Sequence, residues 1–185
     1  MTGATHYLIF ILAGASVIRF PDIACGKLNS PCHSNTMIYF KQQPADRQIG
    51  KRLKQLTEPW WCQWIYKRQY RQMFAPADYV YDGASIPRIA WSILGIAPSG
   101  PIDAAALAHD ISYRAMGGLK PDALKGCQIL NLDGTPITIS RRETDWLFKT
   151  FGTYAGIPKH RMGIATGFVR AFGNKHWGGP SPYED

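Results

Sequence analysis

The sequence predicts an α+β fold: a small single domain with two long helices facing each other, a β-hairpin between them in the chain, and an aromatic-rich β-hairpin before them. Three observations carry this. The chain has 185 residues, enough for one domain. Its 18 glycines and 13 prolines demand many turns, more than a helical bundle uses. The apolar period also changes along the chain, from alternating runs to helical spacing and back.

Residues 1–57 read as an N-terminal extension, 58–178 as the domain and 179–185 as a tail. The run YLIFILAGASVI, 7–18, is too short to span a bilayer as a helix. It has the length of a signal-peptide core, and Ala24-Cys25-Gly26 offers a small-residue cleavage site, so residues 1–26 would be removed from a secreted chain. Residues 1–6 nevertheless lack Lys and Arg, and the alternative is a buried strand or helix packed on the domain. MIYFKQQ, 37–43, reads as a short strand. In 45–56, Ile49, Leu53 and Leu56 stand at helical spacing and predict a short amphipathic helix.

PWWCQWIYKRQYRQMF, 59–74, interleaves six aromatics with Lys67, Arg68 and Arg71. It reads first as a hairpin with an aromatic inner face. Base stacking and membrane-surface docking are the alternatives. In 80–95 an Asp82-Gly83 turn precedes Ser85, a cap for a short helix with Pro87 in its first turn. Pro101, Asp103 and the alanines that follow predict a helix over 102–116, ended by Gly117-Gly118. ILNLDGTPITIS, 129–140, alternates about Asp133-Gly134 and predicts a small hairpin. Ser140 and Glu143 form a capping box for a second long helix with Leu147, Phe151 and Tyr154 on one stripe, closed by Gly156 and Pro158. A basic helix over 158–172 follows.

The formal net charge of +8 draws the protein to polyanions or anionic membranes. The cations are scattered in small clusters such as Lys51/Arg52/Lys54, with no long basic run, so nucleic acid is not the expected partner. Cys25, Cys32, Cys62 and Cys127 contain no CxxC pair, which argues against a zinc ribbon and leaves room for one or two disulfides.

The chemistry concentrates in DAAALAHDISYR, 103–114. His109 and Tyr113 share a helix face, while Asp110 points about 100° away. His109 fits a general base on water, and Asp110 fits a ligand for a hard cation such as Ca²⁺. A histidine base needs an acceptor on its other nitrogen, and Asp145 on the second long helix is the best candidate. Against this stands a solvated His-Asp pair without function.

The blocks DGASIPRIAW, DAAALAHDISYR, RRETDWLF and RMGIATGFVRAFG…W together resemble an uncharacterised family of small phage and bacterial proteins, a domain of unknown function, over about 64–177. DAAALAHDISY also resembles the active-site helix of phospholipase A2, in the HDxxY form carried by parvovirus capsid proteins. That resemblance implies His109 as the base, Asp145 as its dyad partner and Tyr113 as the supporting tyrosine. It implies Asp110 as the Ca²⁺ ligand, joined by backbone carbonyls of a glycine-rich loop. The usual YxGxG loop is not present as such. ILGIAPSG, with Gly95 and Gly100, or YDGAS, with Asp82 and Gly83, would have to replace it. Three readings follow. The first is a Ca²⁺-assisted hydrolase of membrane phospholipid, docking through its basic surface and the aromatics of 60–74. The second is a non-catalytic phage-particle or accessory protein that keeps the helix pair as scaffold. The third, a metal phosphohydrolase of the HD type, would need more histidines converging on one metal.

Overall fold

In the computed structural model the described residues are 38–40, 42–50, 53–82 and 100–179. They form seven strands: β1 (Ile38–Tyr39), β2 (Asp46–Gln48), β3 (Lys54–Leu56), β4 (Trp60–Tyr66), β5 (Gln69–Ala75), β6 (Val80–Tyr81) and β7 (Gln128–Leu130). Three helices follow the aromatic run: α1 (Asp103–Arg114), α2 (Arg141–Tyr154) and α3 (Lys159–Phe172). The fold is α+β. Two antiparallel sheets, in the orders β1-β4-β5-β7 and β2-β3-β6, pack against the helices.

The aromatic run is the predicted hairpin. Along β4 the alternation is strict: Trp60, Cys62 and Trp64 are buried, and the residues between them are less so. Two of the three tryptophans of β4 therefore face the core. Each indole N–H finds an acceptor there, Trp60 on the Gln42 carbonyl at 3.1 Å and Trp64 on Glu143 Oε1 at 3.0 Å. The hairpin turns through Lys67 and Arg68, both at positive φ (48° and 64°). A two-residue turn of this hand matches the strand twist, although glycine or asparagine would adopt it at lower cost.

The helix expected over 45–56 is instead the β2–β3 hairpin, with Asp46 opposite Leu56 and Gln48 opposite Lys54. Ile49, Leu53 and Leu56 fit a helical stripe by spacing, but Gly50 weakens a helix interior. Here Ile49 and Gly50 both donate their N–H to the Leu53 carbonyl and close a turn, and β3 gains a second partner in β6. Residues 38–56 thus supply strands to both sheets, and Ile38, Phe40 and Leu56 join the core.

The hairpin expected over 129–140 is only half formed. Its turn is there: Asp133 Oδ1 accepts from the backbone N–H and hydroxyl of Thr135. The return strand is reduced to one bridge, Leu130 to Pro136, because proline has no N–H to continue a ladder. The chain then crosses the end of α1, where Ile139 donates to the Gly117 carbonyl at 2.8 Å. Gly117 has φ 69°, and a Cβ there would lie 1.9 Å from the Ile139 oxygen, so this crossing requires glycine.

α1 is buried at every position except the partly covered His109. Its alanines at 104, 105, 106 and 108 let α2 and the sheets approach closely. α2 starts as predicted, with the Glu143 N–H on Ser140 Oγ at 3.2 Å. The reciprocal half of the capping box is missing, since the Glu143 carboxylate faces Trp64 and Arg71. Leu147 and Phe151 bury their side chains, whereas Tyr154 at the end of that stripe is exposed. Cys62 and Cys127 are buried free thiols, and Cys25 and Cys32 lie outside the described residues. So do the apolar run 7–18 and the Ser85-Pro87 cap. Among the described residues no helix is long and apolar enough to cross a membrane.

Candidate active site

Two stripes of α1 carry its polar groups. Asp103, Asp110 and Arg114 follow one another at near-integral turns and face the β2-β3-β6 side, where Arg114 donates to the Val80 carbonyl at 2.8 Å. His109 and Tyr113 face α2. The His109 ring stacks on Tyr113 with centroids 3.9 Å apart and meets the edge of Phe148 at 5.4 Å. Its side chain is 14% exposed.

His109 stands between two carboxylates without bonding to either. Nδ1 is 3.9 Å from Asp110 Oδ1, and Nε2 is 4.0 Å from Asp145 Oδ1. Both exceed hydrogen-bonding distance. Nε2 is buried and has no partner. Burial pushes the His109 pKa down to about 3, the Arg141 charge adds to this, and Asp82 opposes it. The imidazole is therefore neutral near pH 7, as a general base must be.

Asp145 is held from two sides. The Tyr113 hydroxyl donates to its Oδ1 at 2.8 Å, and Arg170 Nε lies 3.6 Å from Oδ2. Arg141 Nε in turn donates to the Tyr113 hydroxyl at 3.0 Å, while its other nitrogens reach Asn174 Oδ1 and the Arg170 carbonyl. Burial and the Asp145 carboxylate push Tyr113 up to about 12 against the pull of Arg141, so it stays a donor. Trp177 meets the Tyr113 ring edge-on at 5.0 Å. The turn after α3 comes this close because Gly173 has no side chain, and a Cβ there would be 2.8 Å from the Tyr113 hydroxyl.

On the other flank, Asp110 meets Asp82. Burial raises its pKa well above the usual carboxylate value, and the neighbouring Asp82 carboxyl raises it further. Arg114 and the Asp82 backbone pull the other way. Asp110 Oδ2 is buried with no hydrogen-bond partner. A buried carboxyl with an orphaned oxygen, beside the half-buried Asp82, suits a hard cation such as Ca²⁺ in donor chemistry. Among the described residues no group of three His, Cys, Asp or Glu gathers around one point.

His109, Asp110, Tyr113 and Asp145 are thus brought together. Gly100 is not. It sits just before α1, exchanging backbone and side-chain hydrogen bonds with Asp103, which is itself about 10 Å along the axis from Asp110. Gly83 and Gly95 lie outside the described residues. Sequence reasoning gave no site role to Arg141, Arg170, Asn174 or Trp177. Arg141 had a usable signal, being four residues before Asp145 in the same helix and hence on its face.

Residues 55–165 match the family described as protein of unknown function (DUF1353), more than half of the chain. The chain belongs to that family. Three of the four blocks that carried the expected resemblance lie inside the match, and the fourth begins in it. No curated protein and no solved structure is significantly similar to the chain.

Proposed function

We propose that this site hydrolyses carboxylic esters of membrane phospholipid, in the manner of a phospholipase A2. The observation that carries the proposal is the neutral His109, its orphaned Nε2 turned to an Asp145 already fixed by Tyr113. With its proton on Nε2, His109 points Nδ1 as an acceptor toward the Asp110 side. Water there would give its proton to Nδ1 as its oxygen attacks the ester carbonyl carbon. The same proton would then pass to the departing alkoxide oxygen, leaving acid and alcohol and restoring the imidazole. An approach of about 1 Å would bring Asp145 into hydrogen-bonding range of the forming imidazolium, the kind of tightening resting sites show when substrate binds. Asp110 and Asp82 would hold Ca²⁺, which supplies charge to offset the oxyanion.

The second reading, a scaffold in a phage particle, draws support from the small exposure of His109 and its close stacking on Tyr113. One assay separates the two. Vesicles of sn-2-labelled phospholipid are incubated with wild type, His109→Gln and Asp145→Asn, with Ca²⁺ and with chelator. The hydrolase reading expects Ca²⁺-dependent release that both substitutions abolish. Folded wild-type protein that releases nothing at any Ca²⁺ level would leave the scaffold.

A further inference from the structure

Among the described residues, the outer face of α3 carries apolar side chains left exposed to solvent. Ile164 is 50% exposed and Phe172 57%. Phe168, half-buried between them in the stripe, stacks on Phe172 with rings 6.2 Å apart and nearly parallel. These positions recur every four residues, so they form one ridge. Gly163 and Gly167 lie beside it with open space where a side chain would be. Lys159, His160 and Arg170 are exposed on the same helix. Between Asp145 and Glu184 the chain has no acid, yet it holds Lys149, Lys159, Arg161, Arg170 and Lys175.

We propose that this face of α3 docks on an anionic lipid bilayer, with Ile164, Phe168 and Phe172 entering the headgroup boundary and the surrounding cations meeting phosphate. An exposed apolar ridge on a basic helix whose own stretch of chain carries no acid is what an interfacial helix needs. A second copy of the chain fits poorly, because two such faces would set the cations of one α3 against those of the other. Of the docking aromatics expected over 60–74, Trp60 and Trp64 face the core, whereas Tyr70 is exposed. α3 is also well placed. Its Arg170 pairs with Asp145, and the turn that follows it touches Tyr113, so a docked α3 brings lipid beside the candidate site. The inference rests on the lipid-hydrolase reading for its purpose, but binding is measurable without turnover.

The test is co-sedimentation with vesicles of equimolar phosphatidylglycerol and phosphatidylcholine, and of phosphatidylcholine alone. Wild type is expected to prefer the anionic vesicles by about tenfold. The exposed pair Ile164→Ser/Phe172→Ser, with an unchanged melting temperature, is expected to lose that binding by about tenfold while still cleaving a monomeric short-chain phospholipid. His109→Gln is expected to bind as wild type. Binding by both wild type and His109→Gln, without hydrolysis by either, would uphold the docking face and sink the hydrolase. Wild type that ignores anionic vesicles, or a double variant that binds them equally well, overturns the proposal. So does a dimer in wild type that the double variant loses while neither binds lipid.

Discussion

The two ends of α1 each carry a buried aspartate, and the two are treated differently. Asp103, in the first turn, meets Lys54 Nζ at 2.7 Å. The same ammonium lies 3.4 Å from Asp46, whose Oδ2 also accepts from the Tyr81 hydroxyl. Every charge in that cluster has an opposite charge or a donor. Two turns on, Asp110 meets another carboxyl, and its neighbour His109 leaves a buried nitrogen unbonded. The proposed site rests on this contrast, one cluster satisfied and the next left short on one helix.

Removing the cation from the satisfied cluster should have the largest effect. Lys54→Met leaves the buried Asp103 beside the half-buried Asp46 with no cation between them, and should cost about 3–5 kcal/mol in urea-induced unfolding. A loss below about 1 kcal/mol would show that the pair is solvated and would remove the contrast.

The opposite sign is expected at the other end. The folded pKa of Asp110 is raised, so its contribution to stability is present below its unfolded value and is lost as pH rises through the folded one. Asp110→Asn escapes that loss. Without Ca²⁺ its melting temperature should exceed that of wild type, by about 1–2 kcal/mol in stability near pH 8 and by less near pH 5. Ca²⁺ should raise the melting temperature of wild type only.

The smallest effect on stability belongs to His109→Gln, expected to be below about 1 kcal/mol near pH 7 because Nε2 gives up no hydrogen bond. Its signature is in pH. The folded pKa of about 3 lies below the ordinary value of 6.5, so this group's contribution is complete above about pH 6.5 and falls as pH drops toward 3. Denaturation midpoints from pH 7 down to about pH 4 should fall more steeply for wild type than for the variant. Equal slopes would mean that His109 is solvated.

What could be read in advance follows from how local each signal is. The 60–75 hairpin and α1 were legible because alternation, the alanine run and the closing glycines act within one element. The pairing of His109 and Tyr113 followed from helical period alone. The stretch 45–56 misled because Ile49, Leu53 and Leu56 satisfy a helical spacing, and only pairing with β6 from another part of the chain decides for strand. Pro136 likewise cut short a hairpin that alternation alone favoured. At the site, Asp82 was visible only as one of two substitutes for a missing loop. Arg170 reaches Asp145, Trp177 reaches Tyr113 and Asn174 accepts from Arg141 through tertiary packing that no local pattern encodes.

The burial of α1 at every position but His109 also sets a clock. A helix enclosed on all sides does not fray or open alone, so its amides exchange with deuterated solvent only through unfolding of the whole domain. The ring of His109 is carried on that helix, and its backbone keeps its place for as long as the domain stays folded. Any motion that admits a substrate, or closes the gap to Asp145, belongs to side chains and to the elements packed on α1, while the histidine stays as the fixed reference against which they move.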